Sequence, residues 1–386
     1  MEQLREFGLL TATVATTLAT YLLFSSFFPV VVQRLKKSKF FYLKGLHTFT
    51  FAQLHFRMNE LKRILATVAM LIALSAGAIS GGFAFLNNAN PFTEEMNVYD
   101  VKVYDMSQEE KDLLAVIPFT DETTYRFKLD NNHIYFSATE LNNDPPLIRS
   151  EIDYTLVHPK KMDEKADLEL NDWGQQTLTD EWESAISTIS PSVFLLTKIV
   201  PKSEFDRLPL TTHSMYLGKT DEFKKHKNTW AEIDQIQQKR YEEFGEDNYY
   251  YSSKYSMYQE YLGTASGTFF MGFFLGTAFL MMMASILMFK ILSGAHQDIH
   301  RYESLRKIGV THRTLSASVA KELGIVFLFP GILGIVHVLV GMNLFSFILI
   351  DPYYKLWVSI LLFLAIYVLY YLITVSMYRK IVLPKT

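Results

Sequence analysis

The stretch Thr264–Leu292, TASGTFFMGFFLGTAFLMMMASILMFKIL, sets the reading of the whole chain. Lys290 is the single charged residue in its 29 positions. A helix needs about 20 apolar residues to cross the hydrocarbon core of a bilayer, so this run is long enough to span one. Its flanks have opposite character. Residues 87–263 hold 33 Asp and Glu against 18 Lys and Arg, a net charge of −15. The remainder holds 7 acids and 19 bases, a net charge of +12, so the overall −3 is a cancellation. Such apolar runs exclude a uniform soluble enzyme. The basic charge hugs the apolar runs, which excludes a nucleic-acid binder.

Working outward, four more stretches are long enough to span: Phe7–Gln33, Ile64–Leu86, Leu323–Ile350 and Leu356–Tyr378. The first is not a signal peptide. It lacks a net-basic start and a short apolar core with a small-residue cleavage site, and it ends in Arg34, Lys36, Lys37 and Lys39. The expected fold is therefore a polytopic α-helical membrane protein of five spans, with one large extracellular α+β domain between spans 2 and 3. The expected boundaries are 1–33 for the first span, 34–62 for a basic cytoplasmic loop and 63–86 for the second span. The external domain takes 87–263, and a three-helix module takes 264–386 with a cytoplasmic segment at 293–321.

Basic residues set the orientation, because Lys and Arg are retained on the cytoplasmic side. Arg34–Arg63 carries eight bases against Glu60. Ser293–Lys321 carries Arg301, Arg306, Lys307, Arg313 and Lys321 against Asp298 and Glu303, and the tail carries Arg379, Lys380 and Lys385. With five spans all three segments share one side. The C-terminus is then cytoplasmic, and the N-terminus and 87–263 lie outside. An external N-terminus with about six residues before its span and no export signal reads as the second half of something larger, either a split subunit or a fragment.

The chain has no cysteine, so the external domain folds on its core alone. That usage fits a Gram-positive surface better than an animal secreted domain. Within it, Val98, Val101 and Val103 begin a strand. Ser107–Glu110 has capping-box spacing and predicts a short helix. Tyr125, Phe127 and Leu129 alternate up to Asp130-Asn131-Asn132 and the pattern resumes at Ile134, a hairpin signal. Ser192–Val200 reads as a buried strand and Asp221–Phe244 as a polar helix. Tyr249, Tyr250, Tyr251, Tyr255, Tyr258 and Tyr261 crowd the entry to the third span, as an interfacial anchor or a sugar- or peptide-contacting surface.

Small residues four apart (Ala69, Ala73, Gly77, Gly81; Gly263, Gly267; Gly272, Gly276) predict close helix approach in lipid. Pro330 should loosen the fourth span. His337, the ionisable residue well inside a span, is expected to hydrogen-bond to a neighbouring helix. Enzymatic motifs fail. Gly218-Lys219-Thr220 lacks the first glycine of a phosphate loop, where His213 stands. His296 and His300 share a helical face without a third ligand, so no metal site is expected. The chain is not read as an enzyme.

The most informative cytoplasmic stretch is His300-Arg301-Tyr302-Glu303-Ser304-Leu305-Arg306-Lys307-Ile308-Gly309-Val310-Thr311. Tyr302, Leu305 and Ile308 or Gly309 fall at helical spacing, with charge on the other faces, and Gly309 suits a helix end. The pattern predicts a short helix lying across the mouth of two spans, followed by a short amphipathic helix from near Thr314. Phe51, Leu54, Met58 and Leu61 form a second apolar stripe beside Arg57, Lys62 and Arg63, suited to an elbow helix on the inner leaflet.

Tyr302-Glu303-x-Leu305-Arg306-Lys307-Ile308-Gly309-x-Thr311 resembles the pattern that ends the cytoplasmic helix of FtsX-like ABC permeases. The order of parts also matches: one span, a large external domain, then three spans. With the additional first span, the chain resembles the C-terminal half of Bce-type permeases, which guard Gram-positive bacteria against bacitracin and other cell-wall-directed peptide antibiotics. Those permeases have ten spans, so the resemblance implies a partner permease half or a missing N-terminal segment. It implies ATPase subunits, two copies, as partners holding ATP and Mg, with no cofactor on this chain. It implies ATPase coupling through Tyr302, Glu303, Leu305, Arg306, Lys307 and Gly309, an elbow helix at Phe51, Leu54, Met58 and Leu61, and mechanotransmission into the external domain. A sensor histidine kinase and a peptide antibiotic or lipid-linked cell-wall precursor are further implied partners. Two alternatives stand beside it: an FtsX-like permease for lipoprotein release or cell-wall hydrolase control, and an ATPase-independent sensor partnering a histidine kinase.

Overall fold

The computed structural model describes residues 2–27, 30, 47–148, 160–162, 165, 178–191, 195–244, 253–347 and 349–384. The chain divides into two compact units, Met1–Asn87 with Ala265–Thr386, and Asn88–Thr264. The first unit opens with α1 (Glu2–Leu22), which ends in a π-helical turn at Leu23–Phe27, and α2 (His47–Asn87). The 41 residues of α2 are continuous, so the boundary expected between residues 62 and 63 falls inside one unbroken helix.

The second unit begins with α3 (Ala89–Met96) and β1 (Val101–Tyr104). Helix α4 (Gln108–Leu114) starts at a capping box. The Ser107 side chain accepts from the Glu110 backbone N–H, and the Glu110 carboxylate accepts from the Ser107 N–H at 2.8 Å. β2 (Asp121–Leu129) and β3 (His133–Ser137) form the anticipated hairpin. The Asp130 side chain closes its turn by accepting from the backbone N–H groups of Asn132 and His133. Then come α5 (Ala138–Asn143), a two-stranded pair β4 (Leu147–Ile148) and β5 (Lys160–Lys161), α6 (Asp180–Ile189), β6 (Leu196–Val200), α7 (Lys202–Arg207), β7 (Thr212–Lys219) and α8 (Lys227–Phe244). The five-stranded sheet has the order β1-β7-β2-β3-β6, with β6 parallel to β3 and the other pairs antiparallel.

Two expectations for this unit change. β6 is an edge strand rather than a buried one: Leu196 is 69% exposed and only Ile199 and Val200 are buried. Residues 192–194 of the expected strand lie outside the described residues. The tyrosines at the unit's end serve its core instead of forming an open surface. Tyr258 is buried with Phe223 and Trp230, and Tyr261 stacks on Phe92 at 4.5 Å. Tyr249, Tyr250 and Tyr251 lie outside the described residues.

The chain returns through α9 (Lys254–Lys307), α10 (His312–Gly341) and α11 (Leu356–Val382). Among the described residues four helical stretches are long and apolar enough to cross a membrane: Leu61–Met96, Lys254–Lys307, His312–Ser346 and Leu356–Val382. This is a membrane protein. The first expected span is not one of the four. Its α1 is threonine-rich, and part of the stretch lies outside the described residues.

Helix α2 packs along α10, α11 and α1. It also meets α9 where small residues permit. A Cβ on Gly272 would stand 2.5 Å from Ala78 O, and one on Gly276 would stand 2.6 Å from Ile79 Cγ1. The Ser75 hydroxyl donates to Gly276 O at 2.6 Å. The other glycines of the expected seams differ. Gly77, Gly263 and Gly267 have open space around them, and Gly81 makes only ordinary contact with Phe345. Pro330 sits inside α10 without ending it. His337 Nδ1 donates to Leu333 O at 2.8 Å, and its Nε2 lies 3.2 Å from the Thr20 hydroxyl of α1.

Candidate functional site at the turn between two membrane helices

The segment from Tyr302 to Gly309 is the end of α9 itself. No separate helix crosses the mouth of the spans, because no residue before Gly309 stops the helix; Gly294 is tolerated within it. The stop has a clear local cause. Gly309 has φ +93, a conformation that costs an L-residue about 1–2 kcal/mol. The Val310 N–H donates to Leu305 O at 3.1 Å and the Gly309 N–H to Arg306 O at 3.0 Å, the paired bonds of a Schellman cap. Leu305 and Val310, the two apolar residues of that cap, both pack against the core of the membrane unit. Thr311 then caps α10 by accepting from the Thr314 N–H. The short amphipathic helix expected near Thr314 is thus the first part of α10.

The turn sorts the six expected coupling residues into two groups. Glu303, Arg306, Lys307 and Gly309 are exposed, and Ile308 beside them is 78% exposed. Leu305 is half-buried and Tyr302 is fully buried. The Tyr302 hydroxyl donates to Glu322 Oε2 of α10 at 3.3 Å. One turn earlier on α9, Asp298 accepts from the Tyr378 hydroxyl of α11 at 2.6 Å and from Arg301 at 2.8 Å. Two tyrosines and two carboxylates therefore tie the ends of three helices behind an exposed cationic turn with an apolar tip. The sequence reading gave Asp298, Glu322 and Tyr378 no part in this site. The signal was present as two acids in a basic segment, a costly choice at the end of a span unless they are partnered. His296 and His300 are exposed, and no cluster of potential metal ligands occurs among the described residues.

Of the expected elbow residues, Leu61 is buried in the membrane core. Phe51, Leu54 and Met58 fall in the first turns of α2, where side chains lie outside the described part of the structure.

The 88–264 unit holds its own charged cluster where its chain ends meet. Lys254 Nζ, on the first residue of α9, lies 2.6 Å from both Glu94 of α3 and Asp100. Lys219, ending β7, reaches the same two carboxylates at 2.8 and 3.1 Å. Asp100 also accepts from the Thr220 N–H and hydroxyl. Burial pushes the Asp100 carboxyl up, but Lys254 and Lys219 outweigh it and hold the group below its ordinary value. Lys102 shows the opposite balance. Burial brings its ammonium down to about 8, and it donates to Thr188 O at 2.6 Å.

With this geometry in place, comparison with known proteins is specific. Residues 269–383 match the FtsX-like permease C-terminal family. The ABC transporter permease protein YxdM of Bacillus subtilis (strain 168) is 24% identical over 356 residues, which cover 85% of this chain and 56% of that protein. The chain thus spans little more than half the length of that relative. Residues 269–383, which contain the capped turn and run through the last three long apolar helices, match the FtsX-like permease C-terminal family, and over most of its length the chain is similar to an ABC transporter permease.

Proposed function

We propose that this chain is a permease subunit, or half-permease, of an ABC complex in which separate ATPase subunits drive motion of the 88–264 unit. The observation that carries the reading is the exposed turn Glu303–Gly309 within the FtsX-like module, held rigid from behind by Tyr302–Glu322 and Tyr378–Asp298. A soluble subunit can seat Ile308 in an apolar recess while Arg306 and Lys307 meet its acids. Elbow residues Phe51, Leu54 and Met58 would lie against the inner leaflet, with Leu61 packing into the core behind them. Five spans, an external 88–264 unit and a cytoplasmic C-terminus complete the proposed topology.

The proposed task is resistance to cell-wall-directed peptide antibiotics. Its support is the order of parts and the acidic domain, which attracts cationic ligands. ATP and Mg would be held by the partner, and a second permease half and a sensor kinase would complete the assembly. The full chain should copurify in detergent with an ATPase subunit, and Arg306→Glu with Lys307→Glu should abolish that association. An ATPase that stays bound to the double variant removes the coupling assignment. Capture of a cell-wall hydrolase or a lipoprotein by the 88–264 unit, with no response to peptide antibiotics, would replace the antibiotic reading with the alternative permease task.

A further inference from the structure

A cleft in the 88–264 unit encloses about 40 Å³ between Tyr104, Phe127, Leu129, Pro191 and Tyr241. By the same measure one water needs roughly 10–15 Å³, so the cleft has room for the tip of a side chain. Its walls are mostly apolar, and Asp105, His213 and Arg240 complete the lining.

The polar groups beside these walls are organised. Asp105 follows β1 with φ +45, one of two non-glycine residues with positive φ among the described residues. Its conformation is fixed from several directions. Its N–H donates to Ser214 O at 2.9 Å, its carboxylate accepts from the Ser214 N–H at 2.8 Å, and its carbonyl accepts from Arg240 at 2.9 Å. Unfavourable backbone held this firmly collects at binding sites. The second Asp105 oxygen lies 2.6 Å from His213 Nδ1. The carboxylate accepts, so Nδ1 carries the proton, and in the neutral ring Nε2 is left as an acceptor. The imidazole is stacked on Phe127 at 5.5 Å, which fixes its plane. Arg240 makes its ion pair with Glu110, at 2.9 Å, and not with the Asp105 carboxylate. The surrounding region carries the net charge of −15 described above.

We propose that this cleft receives an apolar side chain of a cationic peptide, with the apolar group filling the cavity and a neighbouring ammonium meeting Asp105 and His213 Nε2. An anionic ligand would meet the acidic field of the domain, and a purely apolar one would make no use of the Asp105 charge or of His213 Nε2. The proposal deepens the function argued above by placing a ligand contact, and it rests on that reading for its physiological meaning. Its test involves no ATPase, so either can fail alone.

The test uses the full chain in phosphatidylcholine nanodiscs and two photoprobes, acetyl-Lys-photoleucine-Lys-amide and acetyl-Glu-photoleucine-Glu-amide, with labelled residues mapped by mass spectrometry. The cationic probe should label the cleft residues at least tenfold more than the acidic one. Asp105→Asn keeps the shape and tolerates positive φ, and should lower labelling about tenfold, the effect of losing one charge-assisted contact. His213→Phe keeps the stack on Phe127 and should lower it several-fold. Leu129→Trp fills the cavity and should abolish it. Equal labelling by the two probes, or undiminished labelling of Asp105→Asn, overturns the proposal without depending on the bulkier variant.

Discussion

The two units of this protein satisfy their buried polar groups in different ways. In the membrane unit most of the partners are neutral, the carboxylates of Asp298 and Glu322 behind the capped turn excepted. Tyr367 donates to Phe327 O at 2.8 Å, Tyr370 to Ala284 O at 2.5 Å, Tyr371 to Ala320 O at 2.8 Å and Ser75 to Gly276 O at 2.6 Å. Each is a hydroxyl on one helix reaching a backbone carbonyl on another. In the 88–264 unit, beside neutral bonds such as Trp230 to Phe223 O, charged groups pair with one another: Lys254 with Asp100, Lys219 with Glu94, Arg240 with Glu110. The difference follows from the solvent in which each unit must assemble. A helix inserted alone into lipid carries every charge at a high cost, so its inter-helix contacts use groups that are cheap to leave unpaired. A chain folding in water keeps its charges hydrated until they meet, and buried pairs then fix register more than they add stability.

The largest expected effect tests the charged side of that contrast. Asp100→Ala leaves Lys254, 3% exposed, with Glu94 as its remaining carboxylate partner in the cluster. Breaking a buried pair costs about 3–5 kcal/mol. Denaturation of the full chain followed by tryptophan fluorescence reads it, since Trp173, Trp182 and Trp230 lie in this unit and Trp357 does not. Asp100→Leu combined with Lys254→Met should cost less than Asp100→Ala. The pH dependence has a definite sign. The folded Asp100 carboxyl sits below its ordinary 3.8, so the unfolded chain takes the proton first. The stabilisation is complete above about pH 4 and is lost as pH falls through the folded value. The acid limb should therefore be shallower in Asp100→Asn than in the parent chain. Identical limbs would mean that the cluster is not the source of acid sensitivity.

Next in size is a test of close packing in the neutral unit. Gly276→Val would drive side-chain carbon into Ile79 and Ser75 O, and overpacking costs about 1–3 kcal/mol. Gly267→Val, on the same helix but in open space, should be near neutral. If the two variants unfold alike in detergent, the seam is not where α2 and α9 meet.

These two glycines also show what the sequence could convey. Spacing marked Gly267 and Gly276 as equivalent; what opposes each residue is a property of α2, and spacing in α9 cannot encode it. The long apolar runs were legible because lipid demands length and composition directly. The capping box at Ser107 and the hairpin at Asp130 were legible because their chemistry closes within a few residues. β7 was passed over, although Met215 and Leu217 alternate correctly and are fully buried. It lies at the centre of the β1-β7-β2 arrangement, and both of its neighbours come from about 90 residues or more earlier in the chain. At the candidate site the exposed residues were legible from their charge and the helix stop from Gly309. The carboxylate partners of Tyr302 and Tyr378 were not, because they join helices whose contacts the local pattern does not record.

A smaller effect belongs to Gly309→Ala. The φ of +93 makes alanine cost about 1–2 kcal/mol locally. The change is confined to one exposed turn, so global unfolding should barely move. ATPase copurification should weaken, whereas Gly341→Ala, in open space on α10, should leave it unchanged.

The smallest effect is the most diagnostic for the neutral network. Tyr370→Phe removes one hydroxyl that reaches Ala284 O and leaves the ring packed against Phe327. Side-chain hydrogen bonds between membrane helices average about 0.6 kcal/mol and reach about 1.7. The Ala284 carbonyl keeps its place in α9, so no charge is stranded and no cavity opens. Unfolding in mixed micelles should shift by that average, several-fold less than Asp100→Ala in the other unit. A loss for Tyr370→Phe as large as that for Asp100→Ala would show that lipid raises the value of a neutral bond to that of an ion pair, and the contrast between the two units would then lie in the choice of partner and not in its strength.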